Sequence, residues 1–327
     1  MTTLLVTGGA GFIGSCFIRH MLRKYSQYKI INLDALTYCG NLENLKDIQE
    51  NSNYTFVKGN ICDKILVREL INEADCVINF AAESHVDNSI MNPEKFIDTN
   101  VLGTLNLLQA SKEIGVERFL QISTDEVYGS LSDNGYFYET TALAPNSPYS
   151  ASKASADFLV RAYNKTYGLP TLITRSSNNY GPYQYPEKLI PLFISKLLKG
   201  EKVPVYGDGL NVRDWLYVYD NCEAIDRVLH FGKIGEIYNI GGHNEKTNLE
   251  ITKLILSVMN KDESSIEYVK DRLGHDKRYA VSNDKIATEL GWSPNYTFEE
   301  AIKITIDWYL KNQVWIKNIE NKKSVVI

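Results

Sequence analysis

The chain has 327 residues, 44% of them apolar and 23% charged, and its 35 basic and 40 acidic side chains leave a net charge of −5. That length supports a large core and about two domains, and the weak negative charge excludes a general nucleic-acid or membrane-surface binder. Cys16, Cys39, Cys62, Cys76 and Cys222 form no Cys-x-x-Cys pair, so the expectation is reduced thiols in a cytoplasmic protein with no metal and no disulfide framework.

In chain order, residues 4–6 read as a buried strand, 11–23 as a helix and 29–33 as a strand ending on Asp34. A strand at 55–57, a helix at 63–72 and a strand at 76–80 follow. Next come a helix at 101–112, a strand at 118–123, a helix at 150–167 and a strand at 171–175. Strands apolar almost throughout, alternating with amphipathic helices, predict an α/β fold with a doubly wound parallel sheet of Rossmann type. Beyond Arg175 the alternation breaks. Residues 178–188 are rich in Asn, Tyr, Pro and Gly and read as a loop. The expected division is a dinucleotide-binding domain at 1–176, to which part of 211–240 returns, and a smaller interleaved substrate domain at 177–327. No apolar run approaches the ~18 residues of a membrane span.

Between the first strand and its helix lies a glycine turn with Gly8, Gly11 and Gly14. Gly8 permits a tight turn, Gly11 lets backbone approach a pyrophosphate, and Gly14 lets helix and strand pack closely. The phosphates would rest on the helix N-terminus. Asp34 ends the second strand where an acid can bind ribose hydroxyls, and it disfavours a 2′-phosphate, so NAD is expected over NADP.

Tyr149 and Lys153 lie four apart at a helix start and share one face. A tyrosine near pH 10 is a poor base at neutral pH, and a neighbouring ammonium favours its phenolate. Ser123, Thr124, Asp125 and Glu126 end an apolar strand, where parallel sheets place ligands. Two adjacent carboxyls held in different environments can split into acid and base, as removal of water requires.

These motifs resemble the extended short-chain dehydrogenase/reductases, and within them the nucleotide-sugar 4,6-dehydratases. The match includes TGGAGFIG from Thr7, DALTYCGNLENL from Asp34, AAESHVDNSI from Ala81 and STDEVYG from Ser123. It continues with PYSASKASAD from Pro148, NNYGPYQYPEKLIP from Asn178, PVYGDGLNVRDWLYV from Pro204 and DRLGHDKRYA from Asp271. The resemblance implies dTDP-glucose as substrate, with UDP-glucose as the alternative. It implies that Tyr149 takes the 4-OH proton as NAD oxidises C4, that Glu126 takes the C5 proton while Asp125 protonates the leaving 6-OH, and that hydride then returns to C6. Thr124 would bind the 4-oxygen, and Lys153 would hold Tyr149 and the nicotinamide ribose.

The cofactor residues it implies, beyond Gly8, Gly11, Gly14, Tyr149 and Lys153, are Phe12, Ile13, Asp34, Leu36, Thr37, Asn60, Ile61, Ala81, Ala82, Ser84, Thr99, Ser123 and Asn179. Those for the substrate, besides Thr124, are His85, Asn178, Lys188, Leu189, Pro204, Tyr206, Arg213, Asn248, Asp271, Arg272 and His275. Lys188, Arg213 and Arg272 suit a diphosphate, and Pro204 with Tyr206 suits a pyrimidine. The chain departs from the family pattern at Asn60, usually Asp, and at Leu273, usually Pro. Nucleotide-sugar 4-epimerases and decarboxylases share the glycine turn and the Tyr-Lys pair, but Asp125-Glu126 separates this chain from them. The helices at 101–110 and 151–167 resemble the pair that forms a four-helix homodimer interface in this family.

Overall fold

The computed structural model of the chain describes residues 2–271 and 274–323. Strands β1 (Thr3–Thr7), β2 (Lys29–Asp34), β3 (Tyr54–Lys58), β4 (Cys76–Asn79), β5 (Arg118–Thr124) and β6 (Thr171–Ser176) alternate with helices. After them come β7 (Asn178–Tyr180), β8 (Val203–Tyr206), β9 (Val212–Tyr217), β10 (Ile237–Ile240), β11 (Glu245–Thr247) and β12 (Ile266–Val269). Seven strands form one sheet in the order β10-β6-β5-β4-β1-β2-β3, and each pairing in it is parallel. Helices cover both faces, so Leu4, Leu5, Val77, Ile78, Phe119 and Leu120 are buried on whichever side they point. That is why alternation is missing from their sequences.

The strand order reverses between β1 and β4, which opens a crevice at the carboxyl ends of the strands. Polar side chains brace this rim. Thr7 Oγ1 donates to Asn79 Oδ1 at 2.6 Å, and Asn79 Nδ2 donates to Gln121 Oε1 at 2.9 Å. These bonds tie β1, β4 and β5 together at their functional ends and satisfy groups that would be costly to bury alone.

Three elements differ from the sequence reading. The last helix before β6 starts at Pro148, because proline's fixed φ and missing N–H suit the first helical position. Ser147 caps it, accepting from Ser150 N at 3.1 Å while its own N–H donates to Ser150 Oγ at 3.0 Å. The helix expected at 101–112 is α-helical over Thr104–Ile114 and is preceded by a wide π-type turn over Ile97–Gly103. Within that turn Asn100 bonds the Glu83 backbone and donates to Ser152 Oγ at 2.8 Å. The segment 178–188, read as a loop, begins with β7, which pairs with β9. Its three residues are too few for a periodic signal.

The second lobe holds two small sheets, β11-β9-β7 and β12-β8. Its own core includes Tyr180, Phe193, Ile194, Trp215, Ile251, Phe298 and Tyr309. The chain crosses between lobes more than once: β10 hydrogen-bonds β6 at the edge of the central sheet, and Leu216, Val218 and Cys222 belong to the core beneath that sheet.

Candidate active site

The glycine turn follows β1 directly. Gly8 has φ 70°, and a Cβ there would lie 2.6 Å from Ala81 N. A Cβ on Gly14 would lie 2.5 Å from the Gly8 carbonyl oxygen. Any side chain at either position would collide with backbone. Gly11 caps the Phe12–Lys24 helix without a side-chain hydrogen bond, so the first N–H groups remain available to an anion. Asp34 supports the turn from the next strand. Its Oδ2 accepts from Ala10 N at 2.9 Å and its Oδ1 from Leu36 N at 2.7 Å. Burial pushes its carboxyl up, and these two N–H groups oppose the rise.

A cavity of about 320 Å³ runs from this turn to Ser123, Thr124, Asp125 and Glu126 at the end of β5. Its walls include Gly8, Gly11, Phe12, Ile13, Gly14, Asp34, Thr37, Asn60, Ile61, Ala81, Ala82, Ser84, Thr99, Ser123, Tyr149, Lys153 and Asn179. Leu36 is not among the wall residues; with φ 52° it contributes its backbone to Asp34 instead. Glycines that admit close backbone, a free helix N-terminus and a carboxylate at the tip of β2 together fit a dinucleotide.

One wall was not foreseen from the sequence. The Gln313–Lys323 helix returns to this cavity, where Trp315 and Ile319 line it. Trp315 Nε1 donates to Asn44 Oδ1 at 2.9 Å, and Asn44 Nδ2 donates to the Ala10 carbonyl at 3.0 Å. Nothing local in the sequence announces a contact across 271 positions.

At the other end of the cavity, β5 stops at Thr124, whose hydroxyl caps the short turn Asp125–Tyr128 by accepting from Glu126 N at 3.2 Å. The same oxygen lies 3.2 Å from Asp125 Oδ1 and is a side-chain hydrogen-bond partner of Tyr149. Asp125 is buried, and its Oδ2 has no protein partner. Burial first, then the charges of Glu126 and Asp214, hold its carboxyl well above the ordinary range. Glu126 is half-buried. The adjacent acids therefore occupy different environments.

Tyr149 and Lys153 stand on the first turns of the Pro148–Tyr167 helix and both are buried. Burial and the Glu126 carboxylate raise the Tyr149 phenol, while the Thr124 hydroxyl acts to lower it. Lys153 Nζ donates to the Ile122 carbonyl at 2.6 Å, and burial pushes its ammonium down to about 8. Beside the ammonium expected to favour the phenolate, the Thr124 hydroxyl is a further group that opposes the rise.

A second cavity, of about 200 Å³, adjoins the first, and Glu126, Asn178, Asn179 and Lys188 line both. His85, Leu189, Pro204, Tyr206, Arg213, Asn248 and His275 also line it. His85 caps the helix Val86–Met91, its Nδ1 accepting from Asn88 N at 3.3 Å. It also faces Glu187, with Nε2 3.9 Å from Oε2. Lys188 Nζ donates to the Ser84 carbonyl at 3.0 Å. Arg213 Nη2 donates to the Asp276 carbonyl at 2.9 Å, and its guanidinium lies over the Tyr279 ring. Asp271 is not among the wall residues; its Oδ1 contacts His275 Nδ1 at 2.6 Å. Arg272 and Leu273 lie outside the described residues.

The sequence reading passed over Asp214. This buried carboxylate accepts from Gly242 N and Asn244 N, each at 2.9 Å, and burial pushes it up to about 6. Its only signal was its place beside Arg213 in an otherwise apolar strand.

Comparison with known proteins bears on this geometry. A sequence model of the family described as GDP-mannose 4,6 dehydratase matches residues 5–305. The dTDP-glucose 4,6-dehydratase of Xanthomonas campestris pv. campestris is 53% identical, over 98% of this chain and 96% of that protein. The crystal structure of dTDP-glucose 4,6-dehydratase from Bacillus anthracis in complex with NAD superposes with a TM-score of 0.92 at 55% identity, over 98% of this chain and all of that one. The enzyme DesIV of Streptomyces venezuelae, a dTDP-glucose 4,6-dehydratase solved with NAD and TYD bound, gives 0.94 at 49% identity over 96% and 98% of the two chains. With a parallel seven-stranded sheet, a family match over residues 5–305 and relatives about half identical over nearly the whole chain, the chain belongs to the nucleotide-sugar 4,6-dehydratase family, in its dTDP-glucose 4,6-dehydratase branch.

Proposed function

We propose that this protein converts dTDP-glucose to dTDP-4-keto-6-deoxyglucose and water, with NAD as a cofactor regenerated in every turnover. The observation that carries this reading is that Asp125, Glu126, Tyr149 and Lys153 line the first cavity together and Glu126 lines the second as well. Its relatives of known structure were solved with NAD. When bound, NAD supplies the acceptor for hydride from C4 and returns it to C6.

The chain's own groups move the protons. Tyr149 Oη takes the proton of the 4-OH, with Thr124 holding the 4-oxygen and Lys153 orienting the ribose side of the site. Oxidation at C4 makes the C5 proton acidic, and Glu126 removes it. Asp125, kept protonated by its surroundings, protonates the departing 6-OH. Lys188 and Arg213 in the second cavity, with Arg272, provide positive charge for a diphosphate. Pro204 and Tyr206, two apart on β8, offer a flat face to a pyrimidine, while His85, Asn178, Leu189, Asn248, Asp271 and His275 complete the sugar-nucleotide site.

In this reading residues 1–176 with the returning part of 211–240 hold the dinucleotide, and 177–327 mostly hold the sugar nucleotide. The active unit is a homodimer. Leu102, Phe158 and Tyr167 expose apolar surface on two neighbouring helical segments, and Met91, Leu102 and Leu105 border a wide depression beside them. A second copy packed helix to helix would cover this face, and sedimentation would give twice the chain mass. The five free cysteines suit a reducing cytoplasm; among the described residues no helix is long and apolar enough to cross a membrane.

The decisive experiment incubates purified protein with dTDP-glucose and, separately, UDP-glucose, and follows product mass and the alkaline absorbance of a 4-keto sugar. Loss of one water from dTDP-glucose is the expected result. Isomerisation without mass change would refute the reading. A Glu126→Gln variant is expected to accumulate reduced cofactor and stall before water leaves.

A further inference from the structure

We propose that the Thr124 hydroxyl carries one proton from Tyr149 to Asp125 in every turnover, restoring the general acid without recourse to solvent. This rests on the residue roles given above, and it follows from counting protons. Oxidation leaves the 4-OH proton on Tyr149, turning phenolate into phenol. Elimination moves a proton from Asp125 to the 6-oxygen, which departs as water. Glu126 takes the C5 proton and returns it to C5 as hydride reaches C6. The sugar has then lost one water, but the protein is not back where it began: Tyr149 has gained a proton and Asp125 has lost one. A second turnover requires that proton to cross from one to the other.

The geometry supplies the bridge. Thr124 Oγ1 donates to Asp125 Oδ1 at 3.2 Å and accepts from Glu126 N at 3.2 Å, and its hydroxyl acts on the neighbouring Tyr149 phenol. A hydroxyl offers one donor and two acceptor sites. The Glu126 N–H fills one acceptor site and the single Thr124 proton goes to Asp125, which leaves the second acceptor site open to a neutral Tyr149 phenol. All three sites are therefore used in one direction when Tyr149 is neutral and Asp125 ionised, the state in which a turnover ends. In the transfer the Tyr149 O–H bond breaks as a new Thr124 O–H bond forms, and the proton Thr124 held passes to Asp125 Oδ1. No electron changes hands, and one negative charge moves from carboxylate to phenolate. A half-turn of the carboxyl about Cβ–Cγ then brings the proton to the position of Oδ2, the buried oxygen without a protein partner.

Solvent is a poor substitute. Asp125 and Tyr149 are both withdrawn from water, so a proton lost or gained through bulk would have to cross a desolvated site.

The test compares wild type, Thr124→Val and Thr124→Ser on dTDP-glucose by rapid mixing. Wild-type product should form linearly from the first turnover, at a rate independent of buffer concentration at fixed pH and ionic strength. Thr124→Val should release about one product per site and then slow by roughly tenfold or more, with the later rate rising as imidazole buffer is added. Thr124→Ser should restore linear, buffer-independent turnover. A pH-indicator dye in weak buffer should report a transient proton exchange in Thr124→Val and none in wild type. Equal slowing of first and later turnovers in Thr124→Val, without buffer dependence, would show that Thr124 only holds the 4-oxygen and would overturn the relay. A buffer-dependent wild type would overturn it as well. Absence of water loss from dTDP-glucose by wild type would instead overturn the function, and the relay with it.

Discussion

Asp125 and Asp226 are almost equally withdrawn from solvent, at 2% and 1% exposure, yet their surroundings drive them in opposite directions. Asp226 stands on the Val218–Phe231 helix and faces the Phe12–Lys24 helix. Its Oδ2 meets His20 Nε2 at 2.8 Å and Lys24 Nζ at 2.6 Å, and its Oδ1 meets the Tyr25 hydroxyl at 3.0 Å and His230 Nδ1 at 2.8 Å. Burial pushes its carboxyl up, but the hydrogen bonds from His20, His230 and Lys24 outweigh burial and hold it far below the ordinary range. Asp125 has burial, Glu126 and Asp214 all raising it, against one hydroxyl and the charge of Arg213. Depth alone does not decide whether a carboxyl carries charge; its neighbours do. One acid is built into the framework as an anion, and the other is kept ready to give up a proton.

The sharpest break between the two is in rate. Asp125→Asn removes the proton donor and is expected to lower turnover by about 10²–10⁴-fold, whereas Asp226→Asn leaves turnover within a few-fold of wild type when assayed below its unfolding transition. A large rate loss in Asp226→Asn would dissolve the distinction.

Stability should reverse the ranking. Asp226→Asn strands Lys24, His20 and His230 around a neutral amide, and a loss of about 2–4 kcal/mol is expected in denaturant unfolding. Asp125→Asn removes a carboxyl that folding holds in an unfavourable place, so a gain on the order of 1 kcal/mol is expected at neutral pH. If Asp125→Asn were the less stable of the two, the proposed cost of holding that acid would be wrong.

The pH dependence of stability gives a finer test. Asp226 has a lowered folded pKa, so its contribution is present above the unfolded value near ~4 and is lost as pH falls toward the folded one. His230 is the reverse: burial lowers it, but bonding to Asp226 prevails and raises it. Its contribution is present below the unfolded value near ~6.5 and is lost as pH rises through the folded one. The stability difference between wild type and Asp226→Asn should therefore be largest between roughly pH 4 and 6.5 and shrink on either side. A difference that keeps growing toward pH 9 would sink this assignment.

The smallest effect concerns Lys153, whose ammonium burial lowers to about 8. Turnover should decline as pH rises through that value and the cation is lost. Lys153→Arg, which does not titrate there, should be slower at neutral pH but free of that decline.

What could be read from the sequence divides along the same lines. The glycine turn, Asp34 and the Tyr149-Lys153 pair were legible because their geometry is local: a φ only glycine tolerates, a strand end, a four-residue helical spacing. Asp125 and Glu126 were legible as neighbours, but their unequal burial depends on how the Asp125–Tyr128 turn packs against the Pro148–Tyr167 helix. The Asp226 cluster was invisible, since His20, Lys24, Asp226 and His230 each look like ordinary helix surface, and about two hundred positions separate the two pairs. Leu36 is a different case. It was placed at the cofactor by its position in a motif, whereas its side chain is not part of the cavity wall.

The bond between Trp315 and Asn44 has a consequence for the order in which the protein comes into being. Asn44 and the glycine turn it braces leave the ribosome 271 residues before Trp315. The sheet and the turn can form early, but the side of the cofactor cavity built by Trp315 and Ile319 does not exist until synthesis has passed them. A nascent chain therefore carries a dinucleotide groove that stays open on this side until Trp315 and Ile319 have emerged, and stable loading becomes a late event in its biogenesis.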